Sequence, residues 1–286
     1  MMRTPSLQLN RRAKGMAMIA VLWVVAALSI LVTGMSRATR GEIRAVSAQS
    51  QAVQSQAIGD AAITLALQEL TSNPTRPSRG VTGTMSYRGL PVPVQLAPLN
   101  GWIDLNGASL ALLARLYQFA GGLGPDAAQQ LAQSTIEARE KKDWRGQAER
   151  FEAPEDLLRI PGVGYDLYAR LSPLVTVYGS TGGGARVNPL AAPLGVLMVL
   201  ANGDEAVARR IVQQREAGAE GIDTTSLDAS LVSVSSVRRY RVEAAVPLSD
   251  GGVVRVARIV DVGASARDGL AWRTLHAERS IEPMSR

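Results

Sequence analysis

The sequence contains no cysteine and a single histidine, His276, among its 286 residues. Without cysteine the chain has no disulfide, no thiol nucleophile and no cysteine-ligated metal. One histidine cannot supply a serine–histidine–aspartate triad or a multi-histidine metal site. The sequence also lacks a phosphate-binding loop and a serine-hydrolase elbow. These absences predict that the protein is not an enzyme, and they give no reason to expect a cofactor.

The chain also lacks a general excess of one charge. Its net charge is +6, but residues 1–15 contain Arg3, Arg11, Arg12 and Lys14 and no acid, so all other residues together carry only +2. A body this close to balance does not require a nucleic-acid partner. The hydrophobic content of 46% is ordinary for a globular protein, which argues against a membrane protein with many spans.

One long apolar run lies near the start of the chain, from Met16 to Met35, and contains no charged side chain. A helix of this length spans about 30 Å, the thickness of a bilayer core. The apolar core of a secretory signal is shorter, about 7–15 residues, and ends at a small-residue cleavage site that is missing here. The run therefore predicts a membrane helix, and the basic residues before it predict a cytoplasmic N-terminus. Its predicted functional residues are Ile19, Ala20, Val21, Leu22, Trp23, Val24, Val25, Leu28, Ile30, Leu31 and Val32.

The helical pattern continues well beyond this run. From Ser36 to Leu70 there is no proline, and apolar residues recur at helical spacing with polar residues between them. The prolines and glycine of "TSNPTRPSRG" then end the pattern. We therefore predict one helix from Met16 to Leu70, about 80 Å long.

The remainder of the chain is predicted to contain strands on either side of a helical block. Short strands are expected at Thr82–Arg88 and Pro91–Leu96, the second only at a sheet edge because of its two prolines. A hairpin is expected at Val237–Val246 and Val253–Val262, followed by a strand at Leu270–His276. This order predicts an α+β fold in which a large all-helical domain is inserted into a small antiparallel sheet. The predicted helical segments are Ala108–Ala120, Pro125–Lys142, Pro154–Ile160, Tyr165–Leu171, Ala191–Ala201 and Asp204–Glu216, with a short strand at Leu174–Tyr178.

The segment "DLLRIPGVGYDLYARL" suggests a different function. Its Gly162-Val163-Gly164 matches the turn of a helix-hairpin-helix, whose backbone amides bind a DNA phosphate in DNA-binding proteins. Tyr165 and Asp166 follow the turn here, and the acid would repel a phosphate. A membrane-tethered DNA receptor is therefore the alternative function, and a purely structural turn is the simpler interpretation.

Three other features suggest weaker sites. Asp104 and Asn106 faintly resemble a calcium loop but lack a distal glutamate, so a turn and helix cap are expected. Arg238, Arg239 and Arg241 are expected on a solvated strand edge that resists aggregation. Trp102, Trp144 and Trp272 are expected in a core or an interface.

The start of the chain resembles a type IV prepilin-like segment. A basic leader, Lys14-Gly15 and a long apolar helix occur in that order. In that family a prepilin peptidase cuts after the glycine and the new N-terminal amine is methylated, which maps onto Gly15 and Met16. The family's glutamate at the fifth mature position is replaced by Ala20. A buried amine needs a carboxylate partner, so a subunit without this glutamate fits best at a filament tip.

Among such proteins, the type II secretion minor pseudopilin of the K type (general secretion pathway protein K) lacks this glutamate, and its start resembles "VLWVVAAL" and "SRATRGE" here. The resemblance extends to "GWIDLN", "LLRIPGVG" and "VNPLAAP". It implies a pilin-like sheet on the long helix, interrupted by the helical domain. The implied segments are a leader (1–15), a transmembrane and filament-core helix (16–36), a pilin-like continuation (37–106), the inserted helical domain (107–235) and C-terminal strands (236–286).

The same resemblance implies partners and a location. The partners are the I- and J-type minor pseudopilins, with the H-type and the major pseudopilin as further candidates, together with prepilin peptidase and the inner membrane. No nucleic acid is expected as a partner. The protein is expected to cross the bacterial inner membrane once and to place its C-terminal domain in the periplasm. Proteins of this system sometimes bind calcium, and the sequence does not locate a calcium site.

Overall fold

The structure is a computed structural model that describes residues 11–73, 75–179, 185–219, 221–235, 237–248, 251–263 and 269–282. Within the first helix, side chains are described for residues 18–29 and from residue 49 onward. The chain divides into two compact units, Met1–Gln54 and Ser55–Arg286, and each is described by itself. The α-helices are α1 (Arg11–Ser72), α2 (Leu110–Arg115), α3 (Pro125–Glu140), α4 (Tyr165–Leu171), α5 (Leu194–Leu200) and α6 (Glu205–Glu216). The strands are β1 (Val81–Tyr87), β2 (Leu90–Pro98), β3 (Ile103–Asp104), β4 (Val175–Thr176), β5 (Arg239–Pro247), β6 (Val253–Val262) and β7 (Trp272–Glu282).

Helix α1 begins five residues before the predicted Met16 and ends two residues after the predicted Leu70. It is continuous through Gly34 and Gly59, because a single glycine weakens a helix by only about 1 kcal/mol and does not end it. After α1, Asn73 turns the chain: its amide donates to the Glu69 carbonyl (3.1 Å) and its side chain accepts from the Thr75 amide (2.9 Å).

Five strands form one antiparallel sheet in the order β1-β2-β5-β6-β7. The prediction that β2 lies at a sheet edge was wrong, because β2 lies between β1 and β5. Its prolines are nevertheless tolerated for the expected reason. Pairing with β5 begins only at Val94, so Pro91 and Pro93 lie where β2 has a single neighbour and fewer ladder hydrogen bonds are lost.

The C-terminal part of α1 packs on one face of this sheet. Apolar side chains alternate along β5 and β6, and their inward members form a core with the buried stripe of α1. Gly59 permits a close approach, since a Cβ there would lie 2.8 Å from a methyl carbon of Val256. The core residues are Ala62, Ile63, Ala66, Leu67, Leu70, Val92, Val94, Tyr240, Val242, Ala244, Val246, Val254, Val256, Val260, Val262 and Trp272.

The chain between β2 and β5 is largely helical and has a second core of its own. Ser109 caps α2 by accepting from the Leu112 amide at 3.3 Å, and Asp204 caps α6 by accepting from the Ala206 and Val207 amides. The predicted helix Ala108–Ala120 is therefore shorter at its start, and its second half is a π-helical turn from Leu116 to Ala120. Strands β3 and β4 pair in parallel, which brings the chain just before α2 next to the chain just after α4.

This helical region lies against the second face of the sheet. Arg239 of β5 donates to the Tyr178 carbonyl (2.8 Å) and to the Gly179 carbonyl. His276 of β7 stacks on Tyr178, with 5.6 Å between ring centroids. Asn188 is fully buried and donates to the Ser78 carbonyl (2.6 Å), which holds the segment before β1. The helical region is thus fixed both to the sheet and to the chain that enters it.

Candidate assembly surface and ligand sites

The first candidate surface is residues 18–29 of α1, which we call the apolar segment. Every described side chain in it is exposed, including Ala20. Its large apolar side chains are between 55% and 75% exposed, and Trp23 is the most exposed at 75%. The described segment exceeds three helical turns, so apolar side chains point outward on all sides of the helix. A surface of this kind is stable only when lipid or other apolar side chains cover it.

The structure tests only part of the predicted membrane run. Gly15 and Met16 lie in α1, but their surroundings, like the side chains of Ile30, Leu31 and Val32, lie outside the described residues. Across the part of the chain that the structure describes, no helix is both long enough and apolar enough to cross a bilayer.

The second candidate is the predicted DNA-binding turn. Gly162 has a φ of 96°, a value that favours glycine, and the Val163 amide donates to the Ile160 carbonyl at 3.0 Å. Ile160 and Val163 are buried, so the turn is fixed by its own apolar contacts. Asp166 lies exposed in the first turn of α4, where it opposes the approach of a phosphate.

The third candidate is Asp104, which ends β3 beside Gly179. Asp104 is 5% exposed, and one carboxylate oxygen accepts from the Asn106 amide at 3.1 Å. The other oxygen has no hydrogen-bond partner among the described residues and lies where a Cβ on residue 179 would be. Burial raises the pKa of Asp104 to about 6, although that amide and the nearby arginines Arg139, Arg150 and Arg239 act in the opposite direction.

The Asn106 side chain joins two loops by hydrogen bonds. Its side-chain amide donates to the carbonyls of Phe151 (2.9 Å) and Val177 (3.2 Å), and its oxygen accepts from the Phe151 amide (2.9 Å). The expected turn at Asp104 and Asn106 is therefore present. Within the described ranges, no three acidic or histidine side chains cluster in a way that could hold a metal ion. The arginines around Asp104 would also oppose a cation there.

The prediction of a solvated strand edge was wrong for Arg239 and Arg241, whereas Arg238 precedes β5 and is exposed as expected. Strand β5 is the middle strand of the sheet and pairs with β2 and β6. The Arg239 guanidinium contacts Asp261 of β6 at 3.2 Å, in addition to its two carbonyl partners in the helical region. These arginines connect parts of the fold because the sheet has packing partners on both faces.

The three tryptophans that were expected in a core or an interface have different surroundings. Trp272 is buried in the sheet core, and the Trp102 indole donates to the Pro173 carbonyl at 3.1 Å. Trp144 is instead 86% exposed at a tight turn, with the Arg145 guanidinium 4.4 Å from the ring centroid. Trp144 therefore lies outside the two cores of the described residues, and its place in an interface stays a prediction.

Sequence reasoning assigned no role to Asn188 and Gly101, although both lie in motifs that it singled out. The Asn188 amide donates to the Asn100 carbonyl at 2.7 Å. A Cβ on Gly101 would lie 2.5 Å from the backbone of Ala191. "GWIDLN" and "VNPLAAP" therefore pack on each other, and the first requires glycine because another backbone lies in the way.

Comparison with known proteins supports the fold. No protein-family model and no curated protein sequence matches the chain. Among solved structures, a chain of the GspK–GspI–GspJ complex from the enterotoxigenic Escherichia coli type 2 secretion system matches with a TM-score of 0.52 and 14% identity. The match covers 84% of this chain and 99% of that chain. At this identity the likeness shows the fold alone, and it confirms the expected mixture of helices and an antiparallel sheet.

Proposed function

We propose that the protein is a minor pseudopilin of a type II secretion system, of the K type, which assembles through its N-terminal helix. The observation that carries the proposal is the apolar segment, which is exposed on every side of α1. Helices of this kind associate by close packing of their side chains. We propose the I- and J-type minor pseudopilins as partners. The likeness to a chain of a GspK–GspI–GspJ complex supports this choice.

We further propose that the protein occupies the tip of the filament and starts or caps its assembly. Ala20 has no carboxylate to neutralise the amine of a subunit placed ahead of it. The helical region adds bulk that opposes stacking of another subunit. Before assembly, the apolar segment anchors the protein in the inner membrane, with the N-terminus in the cytoplasm and the C-terminal domain in the periplasm. The mechanism is mechanical, so we expect neither a catalytic residue nor a cofactor.

Processing provides the first test. The full chain would be expressed with and without prepilin peptidase, and the membrane fraction analysed by intact mass and N-terminal sequencing. We expect a chain that starts at methylated Met16 only when the peptidase is present. A chain that starts at Met1 under both conditions would contradict the proposal. A DNA titration of the full chain would then test the helix-hairpin-helix alternative.

Partner binding provides the second test. Leu22→Asp places a charge within the apolar segment, where Leu22 is 69% exposed. Thr64→Asp places the same charge on an exposed position of the same helix outside that segment. Co-purification with the I- and J-type pseudopilins should be lost for Leu22→Asp and kept for Thr64→Asp. Equal recovery of the partners by both variants would show that the apolar segment does not bind them.

A further inference from the structure

The two edges of the five-stranded sheet are protected very differently. Strand β7 carries Arg273, Glu278, Arg279 and Glu282, and charges on an edge prevent pairing with another strand. Strand β1, with the sequence VTGTMSY, carries no charge and no proline. It pairs with β2 on one side, and no described strand pairs with its other side. The backbone groups on that side of β1 are available to an additional strand.

An apolar groove lies beside this open edge, on the face of the sheet that α1 covers elsewhere. It has a volume of about 530 Å³ and is lined by Leu70 of α1, by Gly83 and Met85 of β1, and by Val94 and Leu96 of β2. A Cβ on Gly83 would meet only the end of the Met85 side chain, at 3.9 Å, so the groove is open there. Glycine inside a strand weakens it and often marks a place where another backbone approaches. Alternate side chains of an added strand would enter this groove.

Two cations flank the edge. Arg79 precedes β1, and Arg88 follows it in the two-residue turn to β2. Both are exposed, and neither forms an ion pair with a described residue. They are nine residues apart, about 30 Å along an extended chain. Glu69 and Arg76 also line the groove, and Arg76 donates to the Val262 carbonyl at 3.4 Å.

Arg88 is an unusual residue for its position. Its φ is 52° and that of Gly89 is 79°, and positive values at both positions are typical of a type I′ turn, which favours asparagine or glycine at the first. The turn therefore places a cation at the end of β1 where the backbone alone would favour a smaller, neutral residue.

From these observations we infer that β1 accepts an extended segment of another protein, which adds a sixth strand to the sheet. The segment has alternating apolar residues that fill the groove and carboxylates at its two ends that pair with Arg79 and Arg88. Main-chain hydrogen bonds supply affinity in this mode of binding, and the groove and the end charges supply selectivity. The inference rests on β1, the groove beside it and the two flanking arginines, and it stands whether or not the chain assembles with pseudopilins.

A labelled peptide tests this inference on the full chain in mild detergent. The probe is Asp-Val-Thr-Val-Thr-Val-Thr-Val-Thr-Asp, and the measurement is fluorescence anisotropy. Two comparison peptides carry lysine at both ends or N-methyl groups on alternate amides. We expect saturable binding of the first peptide, weaker binding of the lysine peptide and loss of binding for the N-methyl peptide. Equal binding of the N-methyl peptide would overturn strand pairing, and equal binding of the lysine peptide would overturn the assigned charges.

Variants of the chain complete the test. Met85→Lys places a charge in the groove, and Thr84→Lys places the same charge on the opposite face of the same strand. We expect Met85→Lys to weaken binding about tenfold or more, while Thr84→Lys retains it. Arg79→Gln and Arg88→Asn should each weaken binding about two- to fivefold, the range of an exposed ion pair.

Two further outcomes would overturn the inference. One is unchanged peptide binding by Met85→Lys. The other is a concentration-dependent dimer in sedimentation velocity that Met85→Lys abolishes, because the occupant of the edge would then be a second copy of this chain. Arg88→Asn also separates binding from folding, since asparagine suits the turn and the variant is expected to be at least as stable as the natural chain.

Discussion

At Asp104, burial and neighbouring charge act on the same carboxyl group in opposite directions. Burial favours the neutral acid, and the Asn106 amide, Arg139, Arg150 and Arg239 favour the anion. Burial is the larger effect, and one carboxylate oxygen has no hydrogen-bond partner among the described residues. The pKa is therefore raised to about 6 despite three nearby cations.

This shift predicts an unusual dependence of stability on pH. The pKa of an unfolded aspartate is about 3.9, so between about pH 4 and pH 6 the folded state binds the proton more tightly than the unfolded state does. The contribution of Asp104 to the free energy of unfolding is therefore largest below about pH 4. It falls by about 2–3 kcal/mol as the pH rises through 6. Urea unfolding measured from pH 4 to pH 8 tests this prediction.

Asp104→Asn is the control, because it keeps the acceptor for the Asn106 amide and removes the ionisation. Other carboxyl groups titrate in the same range, so the useful quantity is the difference in unfolding free energy between the two proteins. We expect this difference to move in favour of the variant as the pH rises from 4 to 7. A difference that stays constant with pH would show that Asp104 does not bind a proton in the folded state at these pH values.

At the scale of elements, α1 approaches the sheet closely at Gly59, which has no side chain. Gly59 faces Val256 and Val246, and a Cβ would lie 2.8 Å and 3.5 Å from their methyl carbons. The next residue, Asp60, forms an ion pair with Arg258 of β6. The helix therefore approaches the sheet most closely at Gly59, and the ion pair beside it fixes the rotation of the helix.

Gly59→Leu should separate α1 from the sheet. Overpacking of this kind costs about 1–3 kcal/mol, which exceeds the gain of about 1 kcal/mol in helix propensity. Ala57→Leu adds the same residue to an exposed position of the same helix and should change stability by less than about 0.5 kcal/mol. Urea unfolding of the two variants measures the contrast. Similar stability of both would mean that the helix does not pack on the sheet at Gly59.

These elements show what the sequence could and could not predict. Apolar residues recur with a period of two along β5 and β6 and with a period of 3.6 along α1. These periods predicted the strands and the helix, because each reflects burial of one face against one neighbour. The order of the strands in the sheet could not be predicted from the sequence. The prolines of β2 indicated an edge correctly only for the half of the strand that has one neighbour. The arginines of β5 were placed on an edge because charged side chains are typical of strands with a free edge, and the sequence does not reveal that β5 has a neighbouring strand on each side.

The candidate sites were predictable to different degrees for the same reason. The apolar segment is local in sequence, and the structure places its described residues on the surface. The raised pKa of Asp104 follows from its burial, which depends on chain as remote in sequence as Gly179, so it could not be inferred from the neighbours of Asp104 in sequence. The open edge at β1 likewise depends on which strands pair, and this depends on the whole sheet.

At the scale of the whole molecule, the Ser55–Arg286 unit contains two apolar cores and a polar contact between them. One core lies between α1 and the sheet, and the other lies within the helical region. Arg239 is central to the contact, since its guanidinium contacts the carbonyls of Tyr178 and Gly179 on one side and Asp261 on the other. Asp261 is 8% exposed, and its shortest ion-pair contact is the one with Arg239 at 3.2 Å.

Arg239→Met should therefore weaken the connection between the two cores. It leaves Asp261 with the more exposed Arg238 at 3.6 Å and removes the donor from two carbonyls, a loss of about 2–4 kcal/mol. Hydrogen exchange followed by mass spectrometry should show the fall in protection first at β4 and the segment after it, while β5 and β6 remain protected. Arg273→Met is the matched control, because Arg273 is exposed on β7 and forms no ion pair with a described residue. Equal protection in the two variants would mean that the apolar contacts alone hold the helical region on the sheet.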